Sequence, residues 1–141
     1  MSIANRHSDP NHVAANERTF FVTASTWGKR SLLQTDRAAR LFIDVLHDYQ
    51  QQGKYRLHEY VVMPDHFHAL ITIDAGITIE RAVQFMKGEF ASRAGRELQF
   101  CAPVWQKGFS EIRVFDWETF VSIRESRPGS AAPAAKAGLS G

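Results

Sequence analysis

The chain has 141 residues, a formal net charge of +2, 44% hydrophobic and 23% charged residues. These are ordinary values for a single globular domain, and at this length about 68–70% of the unfolded surface can be buried. No stretch approaches the ~20 apolar residues of a membrane span, and the weakly basic balance permits a nucleic-acid partner without requiring one.

The lone cysteine, Cys101, excludes a disulfide within the chain and fits a reducing cytoplasm, with a buried or half-buried position expected for it. Residues 1–17 read as a flexible, polar arm without the apolar run of a signal peptide. Residues 19–26, rich in β-branched and aromatic side chains, predict a strand. Thr35 is a candidate N-cap for a helix reaching Tyr49, with Ala38, Leu41, Phe42, Val45, Leu46 and Tyr49 on one apolar stripe and Gly53 as its stop. Residues 55–63 and 66–73 predict two strands joined at Pro64-Asp65. Alternation in the second sets Phe67, Ala69, Ile71 and Ile73 on one face, and His66, His68, Leu70 and Thr72 on the other. A second helix follows over residues 79–98, burying Ile79, Ala82 or Val83, Met86 and Phe90. Residues 103–115 contain the expected last strand, and Asp116 is a candidate cap for a short helix. Residues 127–141, made of Pro, Gly, Ser and Ala, predict a low-complexity tail that cannot bury much surface. The order strand, helix, strand, strand, helix, strand is the α+β, ferredoxin-like βαββαβ arrangement: a four-stranded antiparallel sheet with helices on one face. The domain is expected over residues 18–126.

His66-Phe67-His68 is the sharpest chemical signal. Strand alternation puts both imidazoles on one face, where two of them can hold a divalent metal; imidazole suits Mn, Fe, Ni, Cu or Zn better than Mg. Two unrelated strand histidines would give the same spacing.

The run Tyr60-Val61-Val62-Met63-Pro64-Asp65-His66-Phe67-His68-Ala69-Leu70 resembles the His-hydrophobe-His strand of the REP-associated tyrosine transposases, with Asp65 where that family commonly has Asn. Phe21-Val22-Thr23, Met86-Lys87-Gly88-Glu89-Phe90 and Val104-Trp105-Gln106-Lys107-Gly108-Phe109 extend the similarity over residues 19–125. The resemblance implies cleavage and joining of single-stranded DNA, in which a tyrosine attacks a phosphodiester and becomes linked to the 5′ phosphate. It implies His66 and His68 as ligands of a divalent metal, Mg or Mn, that polarises a phosphoryl oxygen. It also implies single-stranded or hairpin DNA as partner, a cytoplasmic protein, and a monomer or homodimer.

The match fails at the nucleophile. The family's tyrosine lies on a terminal helix within a Tyr-Ile-x-x-Asn-Pro-Val run; counting forward places that position at Ser126, counting back places it near Gly129. The chain has three tyrosines, Tyr49, Tyr55 and Tyr60, and none follows Tyr60. No catalytic tyrosine is therefore matched, and this chain is expected to be defective in cleavage. Tyr60 sits on the strand before the histidines with its face unresolved, and a packing role is expected for it. For DNA contact, Lys87, Arg93, Arg96 and Lys107 are the candidate cations, with Trp105 a candidate platform for an unpaired base and Phe109 expected in the core. The competing reading is a non-catalytic ferredoxin-like module that binds single-stranded nucleic acid; such modules usually carry paired aromatics on the central strands, where this chain carries histidines.

Overall fold

The structure, a computed structural model, describes residues 17–115. Strand β1 (Arg18–Ser25) leads through a 3₁₀ turn (Trp27–Lys29) to helix α1 (Asp36–Gln51); β2 (Arg56–Met63), β3 (His66–Ile73), α2 (Ile79–Glu97) and β4 (Ser110–Val114) follow. The sheet order is β2-β3-β1-β4, with every neighbouring pair antiparallel. This is the expected four-stranded α+β arrangement with its helices on one face, and β1 and β3 are its central strands.

Both helices begin where their caps dictate. The Thr35 hydroxyl accepts from the Ala38 amide, and the Thr78 hydroxyl from the Arg81 amide, each meeting an amide that the first helical turn leaves without a partner. Gly53, with φ of 80°, takes the left-handed conformation just past α1 that an L side chain resists. The α1 stripe is buried as its periodicity required: Ala38, Leu41, Phe42, Val45 and Leu46 all lie in the core. On α2 the same holds for Ile79, Ala82, Val83, Met86 and Phe90.

The main core lies between these helices and one face of the sheet. Phe20, Val22 and Ala24 of β1, Tyr60 and Val62 of β2, and Phe67, Ala69, Ile71 and Ile73 of β3 supply the sheet side. An aromatic cluster sits at its centre: Phe42 lies 4.5 Å from Phe67, and Trp105 lies 5.6–5.7 Å from Phe42, Phe67 and Phe90, ring centre to ring centre. Each such ring, fully buried, contributes roughly 1.5–3 kcal/mol by removal from water. Burying this set on one face forces the alternate residues of the same strands onto the other. That is what places His66 and His68 on a common face.

Two local expectations are revised, and one feature is added. Strand pairing over residues 103–115 is confined to β4, because Val104 and Trp105 turn inward and only Trp105 bridges to Thr26. Cys101 is exposed rather than buried. In β2 a bulge between Leu57 and Glu59 shifts the register against β3, which brings His58 to Thr72 on the face away from the helices. The short helix expected from Asp116, the tail from residue 127, Ser126 and Gly129 lie outside the described residues, as does the arm before Glu17. Among the described residues no helix is long and apolar enough to cross a membrane.

Candidate metal and DNA-binding face

Antiparallel pairing determines what surrounds the histidines. His66 stands opposite Ser25 and Met63, and His68 opposite Thr23 and Val61. Cross-strand partners share a face, so these side chains all lie away from the helices. The two imidazoles approach edge to face, with ring centres 4.9 Å apart.

Each ring is held through Nδ1. His66 Nδ1 lies 2.7 Å from the Asp65 carboxylate, and His68 Nδ1 lies 2.8 Å from the Thr23 hydroxyl. His68 is 4% exposed and stacks on Phe21 at 5.3 Å, whereas the His66 side chain is 25% exposed. The pair therefore runs from a buried, fixed ring to a partly exposed one at the end of the central strand β3. Asp65 is fixed in turn, since its backbone oxygen accepts from the Thr26 amide and hydroxyl. The hydrogen bond from His66 lowers the Asp65 pKa, with the charge of Lys29 acting in the same direction, so Asp65 is a carboxylate that takes the Nδ1 proton. A carboxylate on Nδ1 selects the tautomer whose Nε2 lone pair is a metal-ligand atom.

The donor set fits a divalent metal in part. Two imidazoles with engaged Nδ1 atoms can supply two nitrogen ligands, a donor type suited to first-row transition metals. Among the described residues, no group of three or more His, Cys, Asp and Glu side chains comes together to enclose an ion.

No tyrosine reaches this face. Tyr60 is buried beneath α1, its hydroxyl 3.3 Å from His47 Nε2; burial, then the charge of Asp44, raises its pKa. The Tyr55 hydroxyl donates to the Leu46 carbonyl, and burial raises its pKa strongly. Tyr49 stacks on Phe85 of α2. All three belong to the helix side, which resolves the face of Tyr60 and bears out a packing role for it.

The cations singled out in the sequence are divided. The buried stripe of α2 packs on the sheet face opposite the histidines, so Lys87, Arg93 and Arg96 belong to the far layer. Lys87 Nζ donates to the Gln106 and Gly108 carbonyls, both at 2.9 Å, and burial lowers its pKa. Arg93 bridges Glu89 and Asp48, tying α2 to α1. Arg96 donates to Ser92 one turn earlier. Lys107 is exposed in the loop whose Gln106 amide donates to the Ser25 carbonyl, opposite His66, and it is the cation of this set nearest the histidine end.

Trp105 is a correction. Its ring packs among Phe42, Phe67 and Phe90, and its Nε1 donates to the Lys87 carbonyl, so it is core and offers no open ring face to a base. Phe109 packs partly buried against the core, as expected. Sequence reasoning missed Asp65, Thr23 and Phe21 as the supports of the histidines. Alternation in β1 does place Phe21 and Thr23 on one face, but nothing local specifies that this face meets His68.

An antiparallel sheet with both described helices on one side and paired histidines on the other defines a class: an α+β domain whose second sheet face is left uncovered by those two helices. Residues 20–116 match the family described as IS200-like transposases, and the chain belongs to that family. Its fold is similar to that of a REP-associated tyrosine transposase solved with a REP hairpin, at a TM-score of 0.63 and 20% identity, over 75% of this chain and 61% of that one. It is similar also to a candidate transposase from Deinococcus radiodurans R1, at a TM-score of 0.62 and 21% identity, over 79% of this chain and 89% of that one. No curated protein matches the chain in sequence.

Proposed function

We propose that this domain binds single-stranded or hairpin DNA on its histidine face in the cytoplasm, as a monomer or homodimer, and uses His66 and His68 to hold a divalent metal, Mg or Mn, against a phosphate. The single observation that carries the reading is the pair of imidazoles on the sheet face away from α1 and α2 in a transposase-family domain, each with Nδ1 already engaged. When bound, the metal supplies Lewis-acid polarisation of a phosphoryl oxygen. Asp65 and Thr23 hold the rings in place, and Phe21 covers one side of His68. Lys107 is the proposed phosphate contact among the cations the sequence suggested. The internal bonds of Lys87 and Arg93 favour structural roles for those two.

The reading includes a missing step. Cleavage in the family that the sequence resembles needs a tyrosine within ~3–3.5 Å of the phosphorus. Tyr49, Tyr55 and Tyr60 are all committed to the helix side. Ser126 stands at the expected nucleophile position, and a serine hydroxyl is shorter and less acidic than a phenol. The chain is therefore proposed to bind DNA without forming a covalent adduct. The same observation supports the second reading, a non-catalytic single-strand-binding module.

The test is Mn²⁺ titration with and without a hairpin oligonucleotide. Metal binding that is strengthened by the oligonucleotide supports the proposal. DNA binding that ignores both the metal and His66→Ala/His68→Ala supports the module reading.

A further inference from the structure

Among the described residues the only large aromatic side chains exposed are Trp27, at 43%, and Phe115, at 71%. Trp27 stands immediately beyond β1, at the end of the sheet that carries His66. Ser25 is the cross-strand partner of His66, and the Thr26 amide donates to the Asp65 carbonyl. Thr26 is extended, with φ of −72° and ψ of 160°, and its own side chain is fully buried. Trp27 thus opens the 3₁₀ turn at the His66 end of the sheet, two residues beyond Ser25, which lies on the histidine face. Two residues of extended chain span about 6.5 Å, the reach of one or two nucleotides of a strand.

The backbone beneath Trp27 is clamped. Its amide donates to the Val104 carbonyl, and its carbonyl accepts from the Arg30 amide and Nε. Arg30 Nη2 also donates to the Pro103 carbonyl, and the Gly28 amide donates to the Gln106 side chain. Left-handed Gly28 and Lys29, with φ of 61° and 57°, complete the turn. The Trp27 ring belongs to neither core cluster and is left in water on a fixed backbone. Its neighbours are cationic: Lys29, Arg30 and, across the turn, Lys107 are all exposed.

We propose that Trp27 is a stacking platform for one unpaired base of single-stranded DNA, adjoining the phosphate held at the histidines, with Lys29 and Lys107 on the flanking phosphates. This rests on the proposed DNA-binding reading and adds to it where, and through which face, the strand is held next to the site. An aromatic ring stacks on any base, and cations beside it follow the backbone, so the platform is tolerant of sequence.

The experiment measures affinity of the full chain for a fluorescently labelled single-stranded oligonucleotide, by anisotropy, across a salt series. Trp27→Ala is expected to weaken binding about 5- to 150-fold without changing the salt slope, while Trp27→Phe retains most of the affinity. Lys29→Ala is expected to lower the slope by about one. An abasic nucleotide walked along the strand should weaken wild type at one position and leave Trp27→Ala unaffected there. Unchanged affinity in Trp27→Ala, with wild type binding well, overturns the platform and leaves the DNA-binding reading standing. Absence of any wild-type binding overturns both. Because Trp27 lies outside the core, an unchanged melting temperature in Trp27→Ala excludes misfolding as the cause of a loss.

Discussion

At the scale of single residues, the histidine pair is a problem in orientation more than in proximity. Two rings whose centres lie 4.9 Å apart can share an ion only if both present the right nitrogen. Asp65 accepts from Nδ1 of His66, which favours a free Nε2 there, and the Thr23 hydroxyl holds Nδ1 of His68. His66→Ala and His68→Ala are each expected to abolish Mn²⁺ binding measured by calorimetry; unchanged affinity in both would mean the pair is structural. Asp65→Ala should weaken the metal about 10- to 100-fold, in the range typical of lost ligand-supporting contacts. Asp65→Asn should lose less, since an amide oxygen still accepts the Nδ1 proton. Equal losses in the two variants would show that charge, not orientation, is what Asp65 contributes.

At the scale of elements, α2 is a packing element, and its Lys87 and Arg93 are engaged by neighbouring segments of the protein. Lys87 fastens the 104–109 loop through two carbonyls, and that loop in turn supports both Trp27 and Ser25. Arg93 joins the two helices through Asp48. Arg93→Ala is expected to cost roughly 1 kcal/mol, the modest figure appropriate to a partly exposed pair, read as a lower urea midpoint with little effect on the salt slope of DNA binding. A slope reduced by about one would instead assign Arg93 to a phosphate. Trp105→Ala removes the ring that three phenylalanines pack against and should cost about 3–5 kcal/mol. Thr35→Ala and Thr78→Ala should each cost about 1 kcal/mol through loss of the helix caps.

At the scale of the whole molecule, the fold divides labour between two faces of one sheet. The helix face holds the three tyrosines and the main core, while the other holds the histidines. A helix-side tyrosine cannot cross the sheet to a phosphate at the histidines. Incubation with labelled hairpin DNA and Mn²⁺ is therefore expected to give no protein-linked DNA band on a denaturing gel. A band lost in Tyr60→Phe would reverse that expectation. Replacing residues 126–141 with a tyrosine-bearing helix of the kind the sequence resemblance implies should restore cleavage if the remaining face is competent.

Local pattern alone determined much of this molecule. The order of elements, the caps at Thr35 and Thr78, the apolar stripes of both helices and the common face of His66 and His68 follow from periods of 3.6 and 2, which are properties of neighbouring residues. Cross-strand register decided the rest. Thr23 and Phe21 meet His68 across 45 residues of chain or more, and Trp105 enters the core through contacts with α1, β3 and α2 that no nearby residue encodes. The charges of Lys87 and Arg93 looked solvent-facing because helical spacing shows which side of a helix is apolar. It does not show which carbonyls and carboxylates another element brings within reach, and only packing decides that.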